Sequence, residues 1–319
     1  MIVKRQGSLE AGVGMRGFLD LGEPSPNGGE EVSYVSVSLE TQYFLWWDKY
    51  RRAMFIVVKI GGSVIRRDMD AVVKELPELI RAGHSLILIH GGGFLVNELM
   101  NRMGLTPRFI TSPSGVVSRY TDLETLGVYV MAMMRINKEL ASKLQRVGVN
   151  AMGLSGIDGA LLLARRKDKL IMVDERGRQR VIDGGYTGKI SSINADLLKS
   201  LMGGGIVPLI APIAMDGDTG DPLNVDSDQV LEAISSRMRP DYSIILTDVD
   251  GVLINGSPLP RVDPGNDSLL SIGEVSGGMR RKLRMAMQLG SGGVRVIISS
   301  GLRESPISSA ISGAGTHIY

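Results

Sequence analysis

From Met54 onward the chain alternates between two rhythms of apolar and polar positions. Largely apolar runs at Ile56–Ile60, Ser85–His90, Ile206–Ile213, Ser243–Leu246 and Val294–Ser299 predict strands buried on both faces. Between them, apolar residues recur every three or four positions and predict helices over Asp68–Ala82, Phe94–Met103, Asp122–Val147, Asp228–Ser236 and Gly278–Leu289. On the longest of these, Leu126, Tyr129, Val130, Met133 and Met134 form one stripe, read as core packing. Residues 150–190 read as short strands turning at Gly156, Gly159 and Gly177. Alternating strands and helices imply an α/β fold, a three-layer αβα sandwich around a mainly parallel sheet. No internal repeat or long linker interrupts it, so two lobes sharing one continuous sheet are expected.

The first 53 residues lack this rhythm. They carry Pro24-Ser-Pro26-Asn-Gly-Gly29 and an acidic pair at Glu30-Glu31. They are expected to be a disordered or loosely attached extension, or an over-long start with Met54 as the initiator. The sharper alternative is a docking arm through Phe44-Leu45-Trp46-Trp47.

Composition removes several kinds of chemistry. The 319 residues include no Cys and 3 His, which excludes disulfides, thiolate metal sites and a Cys nucleophile and argues against a His-rich metal site. The net charge of +2 gives no global signal for nucleic acid. Without an apolar run of about 18 residues or a secretory leader, neither a membrane span nor export is expected, and the protein reads as cytoplasmic.

The candidate chemistry lies in three glycine turns that follow or open apolar elements. Lys59-Ile-Gly61-Gly62-Ser63 ends the first strand, His90-Gly91-Gly92-Gly93 ends the second, and Gly277-Gly278-Met279-Arg280-Arg281-Lys282 opens the last long helix. Glycine lets backbone N–H groups approach an oxyanion, and a helix N-terminus adds partial positive charge. Two lysines and two glycine turns without an evident nucleophile point to phosphoryl transfer run by position and charge. No Walker A loop is present: in Gly185-Tyr-Thr-Gly188-Lys189 the first glycine position is Asp183 and Ile190 replaces the magnesium-binding hydroxyl. No dinucleotide fingerprint follows Gly91-Gly92-Gly93 either. Thr247-Asp248-Val249-Asp250-Gly251 has the form of a phosphatase nucleophile motif, but it sits deep in the chain and leaves the lysines without a role. Asp228 reads either as a helix cap or as the carboxylate that holds two ammonium groups together. Arg119 reads either as a surface residue or as a bidentate clamp on a substrate carboxylate.

In order and spacing, Lys59-x-Gly61-Gly62-Ser63, His90-Gly91-Gly92-Gly93, Arg119-x-Thr121-Asp122, Asn224-Val-Asp226-Ser-Asp228, Thr247-Asp248-x-x-Gly251 and Gly278-Met279-x-x-Lys282 resemble the amino acid kinase family over residues 54–318. Within it the chain is similar to the acetylglutamate kinase group. Thr111–Gly115, Ser118–Thr121, Gly153–Gly159, Asp174–Gly177 and Gly184–Lys189 bring it nearest to archaeal kinases that act on aminoadipate or glutamate borne by the acidic carrier protein LysW.

The resemblance implies a kinase domain over 54–319, with an acceptor lobe to about 213 and a nucleotide lobe beyond it. It implies that Lys59 and Lys282 stabilise the transferring phosphoryl and that Asp228 orients both. Gly92, Gly93, Arg119 and Asn224 would bind the acceptor. Gly61, Gly62, Ser63, Thr247, Asp248, Gly251, Gly278 and Met279 would lie on the nucleotide side. It also implies ATP with Mg²⁺, no metal held by the protein alone, and a homodimer. Asp226 stands where the acetylglutamate enzymes usually carry Asn. Phosphorylation of free N-acetylglutamate is the alternative activity. A cluster of seven basic residues between Arg165 and Arg180, turning at Asp174–Gly177, is expected to form a basic hairpin, either a solvated face or a dock for an acidic carrier.

Overall fold

The computed structural model describes residues 53–319. Of the preceding chain it describes only two backbone ladders, Ile2–Val3 with Tyr34–Val35 and Gly12–Val13 with Leu19–Asp20. The expectations for Phe44–Trp47 and for the extension as a whole lie outside the described residues.

The central sheet begins with β1 (Phe55–Ile60) and β2 (Ser85–His90), paired in parallel with Val57 opposite Ile87. It continues on one side through β10 (Val207–Ala211) to β5 (Ala151–Ser155). On the other side of β1 lie β13 (Tyr242–Thr247), β17 (Val296–Ser300), β18 (Thr316–Ile318) and β16 (Arg261–Val262). Every pairing among these eight strands is parallel except β17 with β18. Residues 54–213 thus supply one half of the sheet and residues 214–319 the other, joined where β1 meets β13.

The strands are largely apolar because alternate side chains feed two separate cores. Ile56, Val58 and Ile60 face one cluster while Val57 faces the other. The first cluster is closed by α1 (Gly62–Arg67), α2 (Asp70–Arg81), α3 (Gly93–Arg102), α4 (Leu123–Arg146) and α8 (Pro306–Ile311). The second is closed by α5 (Ala195–Gly203), α6 (Ser227–Met238) and α7 (Gly277–Ser291). This is the expected three-layer αβα sandwich. The Asp122 carboxylate accepts from the Thr125 N–H at 2.8 Å, which starts α4 where the sequence places it. Leu126, Tyr129 and Met133 are buried, and Val130 and Met134 pack against the same cluster.

Two expected elements change. The run Ile206–Ile213 is not one strand: Pro212 has no N–H to extend the ladder, so β10 ends at Ala211 and β11 (Ile213–Asp216) joins a second sheet. That sheet has the order β9 (Gly188–Ile193), β6 (Leu162–Arg166), β11, β12 (Pro222–Asn224). The expected helix Asp68–Ala82 is α2, which starts at Asp70 after the Asp68 carboxylate accepts from the Asp70 N–H at 2.8 Å, and a separate short helix, α1, precedes it where none was expected. The buried Glu75 of α2 accepts from the N–H groups of Ile307 and Ser308, at 2.9 and 2.6 Å, and so caps α8.

Candidate active site

The glycine loops after β1 and β2 touch backbone to backbone. A Cβ on Gly62 would lie 3.1 Å from the Gly92 nitrogen, and one on Gly91 would lie 3.0 Å from the Gly62 nitrogen. The Gly61 N–H donates to the Leu246 carbonyl at 2.8 Å, which ties the first loop to β13. Gly92 is required by packing, since a Cβ there would come within 2.2 Å of Ile136 Cδ1 on α4. Gly93 has open space around it and begins α3, whose first N–H groups have no helical partner.

Beside these loops three cations converge on one buried carboxylate. Lys59 Nζ lies 3.0 Å from Asp228 Oδ1, and Lys282 Nζ lies 3.8 Å from Oδ2. Lys59 comes from the middle of the sheet and Lys282 from the first turns of α7, so Asp228 on α6 joins groups more than 200 positions apart. Burial pushes the Asp228 carboxyl up, but Lys59, Lys282 and Arg281 outweigh it and hold the group below the ordinary aspartate range. Burial depresses the Lys282 ammonium, and Asp228 only partly restores it. Of the two sequence readings of Asp228, the cap belongs elsewhere: Asp226 precedes α6, and its Oδ1 accepts from the Asp228 N–H at 2.9 Å.

Arg281 is a site residue that the sequence did not single out. Its NH2 lies 2.8 Å from Asp226 Oδ2 and 3.6 Å from Asp228 Oδ2. The pair explains Asp226, because the extra carboxylate is matched by a guanidinium from the residue next to Lys282 on α7. The sequence signal was the paired Arg280-Arg281, but only the helix phase shows which one faces α6. The other, Arg280, turns back to the Val275 carbonyl.

A cavity of about 540 Å³ opens beside this centre, with Gly91–Gly93, Arg119, Tyr129, Asn224, Asp226–Asp228 and Arg281 in its walls. Arg119 is presented by an antiparallel hairpin of β3 (Phe109–Thr111) and β4 (Val117–Arg119), in register with Phe109, over whose ring it stacks at 5.0 Å. Its guanidinium also donates to the Gly93 carbonyl at 3.1 Å and to Asn97 Oδ1. Asn224 donates to Thr121 Oγ1 at 2.8 Å, and the Tyr129 hydroxyl donates to the Pro212 carbonyl at 2.9 Å. The structure therefore gathers Lys59, Lys282, Asp228, Gly92, Gly93, Arg119 and Asn224 around one centre.

The residues expected on the nucleotide side divide. Ser63, Thr247 and Asp248 form one hydrogen-bonded cluster, with Thr247 Oγ1 donating to Asp248 at 3.3 Å and Arg67 at 3.6 Å from the same carboxylate. Gly278 stands on α7 one turn before Lys282, and a Cβ there would lie 3.7 Å from its Nζ. Gly251 answers to packing: at φ +144° it faces Thr316, whose Oγ1 a Cβ would approach to 2.6 Å. Met279 packs against the core beneath α7.

His90 is no general base. It is fully buried, and its two ring nitrogens meet the Gly91 carbonyl at 3.1 Å and Asn137 Nδ2 at 3.3 Å, which assigns a neutral ring with the proton on Nδ1. Burial lowers its pKa to about 4, against the partial pull of the Gly91 carbonyl. Below pH 6.5 the unfolded chain therefore takes up a proton that the folded one refuses. About 3 kcal/mol of stability is expected to drain away between pH 6.5 and pH 4 by this linkage. Denaturant titrations of His90→Asn across this range should lack that segment of the slope, and a variant with the full slope would remove the assignment.

The basic cluster folds as the expected hairpin, β7 (Lys169–Val173) with β8 (Gln179–Asp183). Its charge is partly spent internally. Asp174 lies 3.1 Å from Arg178 and 2.8 Å from Arg180, and Arg166 stacks on Tyr186 and lies 3.5 Å from Asp183. Lys167, just before the hairpin, lines the cavity beside Asp228.

A parallel-sheet scaffold that brings a lysine from a strand and a lysine from a helix to one carboxylate, with a helix N-terminus alongside, is that of a phosphotransferase working by charge and position. The chain belongs to the amino acid kinase family, whose profile matches residues 54–300. A Pyrobaculum calidifontis protein whose name gives LysW-aminoadipate and LysW-glutamate as acceptors is 51% identical over 264 residues, 82% of this chain and 98% of that protein. The LysW-aminoadipate/LysW-glutamate kinase of Saccharolobus islandicus is 44% identical over the same extent. Among solved structures, N-acetylglutamate synthase from Neisseria gonorrhoeae superposes with TM-score 0.72 at 21% identity, covering 88% of this chain and 63% of that one. Carbamate kinase from Giardia lamblia superposes with TM-score 0.57 at 16% identity, covering 84% and 99%. At those identities the two structures speak for the fold alone.

Proposed function

We propose that the protein transfers the γ-phosphoryl of ATP to the side-chain carboxylate of aminoadipate, and of glutamate, carried on LysW, in lysine and arginine biosynthesis. The observation that carries this reading is the Lys59–Asp228–Lys282 centre beside the acceptor cavity, in a chain whose relatives of that name match it over almost their whole length. An acceptor carboxylate is already ionised at neutral pH, so no base is required. One of its oxygens attacks phosphorus in line, the bond to the β-phosphate oxygen breaks, and an acyl phosphate and ADP result. The obstacle is the approach of two anions. Lys59 and Lys282 offset it from one side, and the Gly92–Gly93 backbone at the start of α3 offsets it from the other. Arg119 and Asn224 hold the polar groups of the acceptor.

Mg²⁺, when bound with ATP, would neutralise charge on the phosphates. Among the described residues no group of three His, Cys, Asp or Glu offers a metal site, and Asp228 is committed to cations. In this reading the acceptor occupies the cavity beside Arg119 and Asn224, and the nucleotide lies near Ser63, Thr247, Asp248 and Gly278. A cytoplasmic location and a homodimer belong to the same reading, and no helix among the described residues is long and apolar enough to cross a membrane.

The test is ATP- and Mg²⁺-dependent acyl phosphate formation, trapped as hydroxamate, with carrier-linked aminoadipate, carrier-linked glutamate and free N-acetylglutamate side by side. Turnover of the carrier-linked forms is expected. Turnover of free N-acetylglutamate alone would overturn the reading.

A further inference from the structure

A second hollow of about 740 Å³ runs between β9 and α6, outside the catalytic cavity. Its charged lining is Lys167, Lys189 and Arg237 against the single carboxylate Glu232. Lys167, Gln229 and Glu232 belong to the walls of both hollows, so the groove and the catalytic cavity meet along those side chains. Gln229 braces the junction, its Oε1 accepting from the Ile190 N–H of β9 at 3.3 Å.

The junction is electrostatically incomplete. Lys167 is half-buried there; burial and then the neighbouring Lys189 ammonium depress its pKa, and Asp226 only partly compensates. Glu232 is the single carboxylate facing them in the groove, and burial raises its pKa by more than Lys189 lowers it. Two ammonium groups that repel at the exit of an acceptor cavity are relieved when an anion settles between them.

We propose that this groove receives the arm through which the acceptor is joined to its carrier, with Lys167 and Lys189 binding a carboxylate on that arm. The inference rests on the carrier-linked reading above. A free amino-acid derivative occupies the catalytic cavity and leaves the groove empty. An acceptor held through its amino group on an acidic polypeptide has to lead its tether out of the cavity, and this junction is a positively lined way out.

The test is steady-state kinetics of the full chain carrying Lys189→Gln together with Arg237→Gln, with Lys189→Arg as the charge-keeping variant. Lys189 and Arg237 are exposed and touch nothing in the catalytic centre. The acceptors are carrier-linked aminoadipate and tether-free N-acetylaminoadipate, with ATP affinity and melting temperature as controls on folding. For the carrier-linked acceptor, KM should rise about tenfold at low salt with kcat retained, and the difference should shrink as salt is added. Kinetics with the tether-free acceptor should not change, and Lys189→Arg should stay near the unmutated enzyme. If the unmutated enzyme uses the carrier-linked acceptor and the double variant matches it, or loses equally on both acceptors, this inference alone is overturned. If the unmutated enzyme uses only tether-free acceptors, the carrier-linked reading falls and takes the inference with it.

Discussion

Lys282→Ala should lower kcat by about a hundred- to a thousandfold while changing ATP affinity only a few-fold, the loss typical of removing one charge aimed at the developing transition state. Lys282 sits on the first turns of α7, its ammonium 3.8 Å from Asp228, with burial depressing its pKa. A positive charge in so poorly solvated a place acts strongly on charge that moves during the reaction and less on charge present throughout. The rest of the centre survives the substitution, since Asp228 keeps Lys59 at 3.0 Å and Arg281 at 3.6 Å. Folding is therefore retained and the melting temperature changes little. Single-turnover rates with saturating ATP separate the chemical step from binding. A variant with near-normal kcat would remove Lys282 from the mechanism.

Asp228→Asn should do the opposite to stability. The amide has nearly the same shape but no charge, and it leaves Lys59 and Lys282 facing one another across a buried space, while Arg281 keeps Asp226 at 2.8 Å. Removing one partner of a buried ion pair costs about 3–5 kcal/mol, and here one carboxylate serves three cations. The sign with pH follows from the depressed carboxyl. The wild-type contribution is fully present above the unfolded aspartate pKa and is lost as pH falls toward the lower folded value, so Asp228→Asn should flatten the acid side of the stability curve. The activity falls as well, because the two lysines are no longer held together at Asp228. Urea titrations from pH 7 down to pH 3 read both effects. Equal stability of variant and wild type at pH 7 would mean that Asp228 does not hold the lysines.

Much of this arrangement was legible in the sequence, because buried parallel strands are largely apolar runs and glycine loops follow them at fixed places. β2 falls on the expected residues, and α4 begins one residue after Asp122. What was not legible depends on contacts between distant segments. Pro212 looks harmless within an apolar run, yet it hands the chain from one sheet to another. Glu75 reads as a surface residue on an amphipathic helix until α8 arrives 232 positions later to be capped. The hairpin carries less free charge than its composition suggests, because Asp174 at its turn pairs with Arg178 and Arg180 on the returning strand. Arg281 was passed over because a motif spaced on Gly278 and Lys282 says nothing of the residue between them that finds Asp226.

The position of β1 in the middle of the sheet has a consequence for how the chain is made. One edge of β1 is covered by β2 once His90 has left the ribosome, but the other waits for β13, which ends at Thr247. At about 5–20 residues per second, that apolar edge stays open for roughly 8–30 s of synthesis, long enough for a wrong strand to add to it. Lys59 on β1 is made early, but it gains its carboxylate only at residue 228 and its twin at residue 282. The nascent chain is therefore inert until nearly complete, and acyl phosphate formation reports on finished molecules alone.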